Sequence, residues 1–128
     1  MVINIRALLA GNLAALREEI HGLAQVCRPA GVTSKVILET CYLENEHKRL
    51  ACQVALEEGL DFVKTSSGFG PGGATVEDIR LMRSIVGEQM GVKASGGVRS
   101  LADALAMIAA GANRIGTSSG VAIVEAMK

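Results

Sequence analysis

The sequence is almost devoid of aromatic residues, with no tryptophan, one tyrosine and two phenylalanines among 128 residues. It therefore lacks the rings on which nucleobases stack, and thirteen basic against thirteen acidic residues leave no net field to attract a polyanion or an anionic membrane. No apolar run reaches the roughly 18 to 20 residues needed to span a bilayer. The opening MVINIRALLAG lacks the basic flank and cleavage pattern of a secretory signal. These absences predict a cytoplasmic protein with no nucleic acid and no membrane among its partners. Cysteine is scarce as well. Cys27, Cys41 and Cys52 are odd in number and form no CxxC pair, so neither a disulfide framework nor a zinc site is expected. They read as reduced thiols packed as small hydrophobes. His21 and His47 sit in polar stretches without ligand spacing and read as parts of solvated helix faces.

What is present is apolar and periodic. Hydrophobic residues make up 49% of the chain and the mean hydropathy is +0.34. A chain of this length and composition can bury one substantial core, so residues 1–128 are expected to form a single domain. Short β-branched runs alternate with longer segments of helical period, the pattern of a parallel sheet covered by helices, hence an α/β fold. Five strands are expected, at Met1–Ile5, Lys35–Glu39, Asp61–Thr65, Gly91–Ser95 and Arg114–Thr117. Each is too short for a helix and apolar enough to be buried on both faces.

Between them, Leu13, Leu16, Ile20 and Leu23 recur at three- and four-residue steps, predicting a helix from about Leu13 to Val26 that Pro29 and Gly31 stop. A second is expected over about Glu46–Glu58, ended by Gly59. Thr75 with Asp78, and Ser100 with Asp103, announce two more through side-chain capping, closed by Gly87 and Gly111. No low-complexity stretch or linker interrupts this single layer system.

On such scaffolds ligands gather at the carboxyl ends of the strands. Lys64 closes the run Phe62-Val63 there, and Lys93 takes the same place one strand later. Adjacent ammonium groups repel and partial burial disfavours charge, so both effects lower a lysine pKa and leave more of the neutral amine that attacks a carbonyl. Placement alone leans toward lysines that merely snorkel to water or pair with a carboxylate such as Glu39.

Glycine-rich turns follow three of the strands: Thr65-Ser-Ser-Gly-Phe-Gly-Pro-Gly-Gly after Lys64, Ala94-Ser-Gly-Gly-Val-Arg after Lys93, and Gly116-Thr-Ser-Ser-Gly. Glycines let backbone approach an anion, and following helix termini favour negative charge, so three such turns on one rim suggest a phosphate cradle with Arg99 as a possible charged fork. One such loop by itself is ordinary turn chemistry. No Walker sequence, dinucleotide fingerprint or metal cluster competes.

The segments Asp61-Phe-Val-Lys-Thr-Ser-Ser-Gly-Phe, Gly91-Val-Lys-Ala-Ser-Gly-Gly-Val-Arg and Asn113-Arg-Ile-Gly-Thr-Ser-Ser-Gly resemble the signature segments of the deoxyribose-phosphate aldolase family. Lys35-Val-Ile-Leu-Glu-Thr-Cys and Met1-Val-Ile-Asn-Ile are similar to strands of the same family, so the resemblance runs along nearly the whole chain. It implies a class I aldolase in which Lys64 is the Schiff-base lysine and Lys93 keeps it deprotonated. It further implies that Gly68, Gly96, Gly97, Gly116, Ser118 and Ser119, with Arg99 nearby, hold the phosphate of a small phosphosugar. The implied reaction is reversible cleavage of 2-deoxyribose 5-phosphate to glyceraldehyde 3-phosphate and acetaldehyde, without metal or cofactor, in deoxynucleoside breakdown.

The resemblance covers what correspond to strands four to eight of an eight-stranded (β/α)8 TIM barrel. The family's catalytic aspartate falls just before the position of Met1. A partial barrel has open sheet edges, so a homo-oligomer or a companion segment is expected to complete it. Two other readings stay open at this level: a non-catalytic phosphate-binding α/β fragment, and a different class I aldolase or phosphosugar isomerase on the same barrel.

Overall fold

The computed structural model describes residues 1–128. Four short strands, β1 (Lys35–Ile37), β2 (Phe62–Lys64), β3 (Gly91–Ser95) and β4 (Arg114–Gly116), pair in the order β1-β2-β3-β4, all parallel. Parallel neighbours need long crossovers, and helices supply them: α3 (Asn45–Glu57) between β1 and β2, α4 (Val76–Val86) between β2 and β3, and α5 (Leu101–Ala110) between β3 and β4. Helices α1 (Ile5–Leu9) and α2 (Leu13–Cys27) precede the sheet, and α6 (Gly120–Glu125) follows it. The strand order never reverses, which is the succession of a β/α barrel and not of a doubly wound sheet with its switch point. No helix is long and apolar enough to cross a membrane.

The expected first strand is corrected. Of Met1–Ile5 only Val2 bridges Ile37, through Ile37 N–H to Met1 O at 2.8 Å and Ile3 N–H to Ile37 O at 2.9 Å. The chain turns away because the Asn4 side chain accepts from Ala7 N–H at 3.0 Å and caps α1. An asparagine ahead of Ile-Arg-Ala-Leu-Leu is a helix start, and capping outweighs the β preference of Val2 and Ile3. The sheet is thus four-stranded with a rudimentary fifth. Helix α6 was not foreseen from the sequence.

Burial on both faces is corrected as well. Val36, Val63 and Val92 are fully buried, and Leu38 and Ala94 extend that layer. They pack against Leu16 and Ile20 of α2, Ala51 and Val54 of α3, and Ile79 and Met82 of α4 in one cluster of 26 buried residues. Their alternating neighbours Lys35, Ile37, Phe62, Lys64 and Lys93 are only half-buried and lie on the other, concave face. The period of two along a strand makes this division unavoidable.

The capping residues act as read. Ser100 and Asp103 form a reciprocal capping box, whereas at α4 only Thr75 contributes, accepting from Asp78 N–H at 3.1 Å. The Asp78 carboxylate turns instead to Lys48 Nζ at 2.6 Å, a nearly buried ion pair that ties α4 to α3. Cys52 is packed in the core, where burial pushes its thiol up to about 12 and leaves it inert. Cys27 is half-buried and Cys41 is exposed, so the small-hydrophobe reading fails for Cys41. His21 lies on an exposed helix face as expected, its Nδ1 2.8 Å from Glu58.

Candidate active site

Sheet register decides which side chains meet. Lys64 and Lys93 are direct partners across β2 and β3, each one residue beyond a fully buried valine, so both emerge side by side on the concave face. Burial holds the Lys64 ammonium below the ordinary lysine value, the charge of Lys93 pushes it further the same way, and Glu39 pulls against both. Lys35, which sequence reasoning did not single out, is depressed likewise, by burial first and then by Lys93, Arg114 and Lys64. Phe62 lies between these cations, its ring centre 5.4 Å from Lys35 Nζ and 4.2 Å from Arg114 Cζ. The signal for Lys35 was its period-two step from Ile37, which sets it on the lysine face.

Neither Lys64 nor Lys93 forms an ion pair. The carboxylate expected to compete for them, Glu39, is turned to the loop after β2. It accepts from Ser67 N–H at 3.1 Å and from the Ser67 hydroxyl. The strand-end lysines are therefore left without a carboxylate partner and face an open cleft.

That cleft, about 430 Å³, is lined by Lys64, Lys93, Gly68, Gly96, Gly116 and Ser118, all singled out in the sequence. Ser67, Ser95, Val98 and Thr117 complete the wall. The sequence does not single out Ser67, Ser95 and Thr117, because a serine or threonine in a glycine-rich turn reads as turn chemistry until its hydroxyl is placed. Gly97, Arg99 and Ser119 are not part of the wall. Arg99 is exposed and its backbone N–H goes to Asp103 Oδ2 at 3.1 Å, while Ser119 N–H is taken by Thr117 Oγ1 at 2.9 Å.

Two close approaches explain why glycines line this rim. A Cβ on Gly73 would overlap the Gly96 carbonyl, so the β2 loop can lie directly on the turn after β3. There Ala74 N–H reaches Ser95 O and Gly96 O, both at 3.0 Å. A Cβ on Gly116 would overlap Ser95 Oγ and stand 3.1 Å from Lys93 Cε, so a side chain there would displace Lys93. Beneath them Thr65 Oγ1 donates to Ser95 O and accepts from Ser95 N–H, each at 3.1 Å, locking the ends of β2 and β3 together. The lysines thus stand on a rigid floor, as a preorganised site requires.

Sequential parallel strands with helices on one face and two lysines at the carboxyl rim define this molecule as part of a β/α-barrel architecture. The chain belongs to the DeoC/LacD aldolase family, whose model matches residues 1–126. It is 58% identical over 127 residues to a deoxyribose-phosphate aldolase of Bacteroides thetaiotaomicron, covering 99% of this chain and 53% of that one. The solved structure of a putative deoxyribose-phosphate aldolase from Coccidioides immitis superposes with a TM-score of 0.94 at 35% identity, over 99% of this chain and 51% of that one. A deoxyribose phosphate aldolase from Aeropyrum pernix, described as having a unique tetrameric structure, matches at TM-score 0.82 and 36% identity, over 89% and 49%. The chain spans about half the length of the curated relatives it matches.

Proposed function

We propose that this chain carries the Schiff-base half of a deoxyribose-phosphate aldolase site, with residues 1–128 acting as one domain. The observation that supports it most is the Lys64–Lys93 register pair: an unpaired, half-buried lysine whose ammonium is disfavoured, beside a second cation on a rigid floor. In this reading the neutral Lys64 amine adds to C1 of open-chain 2-deoxyribose 5-phosphate, and loss of water leaves an iminium. The C2–C3 bond then breaks as its electron pair moves into the iminium and the C3 hydroxyl loses its proton, releasing glyceraldehyde 3-phosphate. Protonation of the enamine at C2 and hydrolysis return acetaldehyde and the Lys64 amine. Lys93 keeps Lys64 deprotonated by like-charge repulsion. The chemistry calls for neither metal nor cofactor.

Gly68, Gly96, Gly116 and Ser118 serve in this reading as the phosphate side of the cleft, with Gly97, Ser119 and Arg99 behind them on the rim. Borohydride trapping with acetaldehyde or deoxyribose 5-phosphate, read by peptide mass spectrometry, tests the assignment. A reduced adduct on Lys64 that is lost in Lys64→Ala is expected. An adduct on no lysine would sink it and leave a phosphate-binding relic.

The concave face carries Lys35, Lys64, Lys93 and Arg114 against the single carboxylate Glu39, and beside β4 the helices α5 and α6 expose Leu105, Ile108 and Val124, with Met127 just after α6 exposed as well. On these grounds we infer that a companion covers this side, either a segment that supplies the remaining strands or another copy of the chain. Light scattering that finds a stable monomer of the isolated chain at micromolar concentration would overturn the second alternative. The same reading places the chain in the cytoplasm, in keeping with its three unpaired cysteines.

A further inference from the structure

Glu39 is the only residue other than glycine with a positive φ, at 56°, and it is 5% exposed. A left-handed glutamate is strained, and its flanks hold it there: Leu38 N–H donates to Lys64 O and Thr40 N–H to Thr65 O, both at 2.9 Å. The side chain is thereby swung under the β2 loop. Its carboxylate takes the Ser67 N–H and the Ser67 hydroxyl, and Ser67 Oγ in turn accepts from Phe69 N–H at 3.1 Å. A Cβ on Gly70 would stand 3.3 Å from Glu39 Oε1, so the loop is wrapped closely over the carboxylate.

Resting on the Schiff-base reading above, we propose that Glu39 is a positioning residue with two separable duties: its hydrogen bonds set the shape of the Ser67–Gly70 loop beside the cleft, and its charge moderates the lysine cluster around Lys64. The hydrogen bonds argue for the first duty. A buried carboxylate that binds loop groups and no cation is placed for the loop, and Gly68 at the cleft wall is one residue from the atoms it holds. The balance of charge argues for the second. Lys64 is the register partner of Lys93 on β3, with Arg114 on β4 beyond Lys93 and Lys35 on β1, and Glu39, set beside it by the Leu38 N–H to Lys64 O bond, is the one acidic group acting on it. Removing that negative charge leaves the cations unopposed and makes the Lys64 ammonium harder to keep.

The two duties part in two variants. In Glu39→Gln the amide oxygen accepts from Ser67 N–H and the amide nitrogen donates to Ser67 Oγ, so the loop keeps its clamp while the charge is gone. In Glu39→Ala both are lost. Imine trapping with acetaldehyde and borohydride is followed against pH, and inorganic phosphate serves as a competitor against trapping with deoxyribose 5-phosphate. The expected result is that both variants shift the trapping midpoint to lower pH than the unsubstituted chain. Protection by inorganic phosphate survives in Glu39→Gln and falls severalfold in Glu39→Ala. Midpoints that coincide with that of the unsubstituted chain overturn the charge duty, and full phosphate protection in Glu39→Ala overturns the clamp. Absence of any adduct in the unsubstituted chain overturns the Schiff-base reading itself, and this inference with it.

Discussion

The two faces of the sheet are built from alternate residues of the same short strands, yet they obey opposite rules. On the helix side Val36, Val63 and Val92 are entirely buried against α2, α3 and α4. One residue further along each strand, Ile37, Lys64 and Lys93 face the concave side, where cations stand next to one another and no ion pair relieves the lysines. The first face gains free energy from every methyl group it hides. The second gives some of that up, because keeping an amine half-buried beside like charge disfavours the folded state at neutral pH. Stability and reactivity are thus sorted by the parity of a residue along a strand. A substitution should act on one or the other according to which face it falls on.

The largest effect should come from the helix side. Ile79 of α4 is fully buried in the cluster that backs β2 and β3. Trimming it in Ile79→Ala is expected to cost about 2 to 5 kcal/mol in urea unfolding, from lost transfer free energy and the cavity left behind. The fraction that stays folded should still form the borohydride-trapped adduct on Lys64. A loss below about 1 kcal/mol would mean that the core collapses freely around the gap. A folded variant that traps nothing would mean that the two faces are not independent.

The same division sets what the sequence alone could show. Helix boundaries were legible to within a residue or two because Leu16 and Ile20, and Ser100 with Asp103, carry their own periodic and capping signals. Lys64 and Lys93 were legible because a charge ending an apolar run has one place to go, the strand terminus. The fifth strand was misread where Val2 and Ile3 promised β structure and Asn4, three residues before the N–H it caps, decided for helix. Glu39 illustrates the harder limit. Its left-handed backbone comes from hydrogen bonds to Lys64 O and Thr65 O on a neighbouring strand, and no local pattern in Leu-Glu-Thr reports a contact so distant in sequence. Lys35 belongs to the same class: its depressed ammonium depends on Lys93, Arg114 and Lys64, which only the sheet brings near. Arg99 and Ser119 lie outside the cleft wall, where their backbone N–H groups bond Asp103 Oδ2 and Thr117 Oγ1.

The smallest expected effect is also the one with the less intuitive sign. Lys64→Met keeps the length of the side chain and removes its charge, so the trapped adduct should vanish while the fold becomes slightly more stable. The direction follows from proton binding. Lys64 is depressed in the folded chain relative to its ordinary value of 10.5, so between its folded and unfolded values the unfolded chain binds more protons and stability rises with pH. Below the folded value both states are protonated and the folded chain bears the whole penalty of a half-buried ammonium beside Lys93. At neutral pH Lys64→Met lifts that penalty, and Tm should rise by a few degrees at most. As pH climbs toward the unfolded lysine value the unsubstituted chain sheds the proton itself, and the two melting curves should converge. A lower Tm for Lys64→Met at neutral pH would show that the amine makes a net stabilising contact, and the opposition between the two faces would then have to be redrawn at this residue.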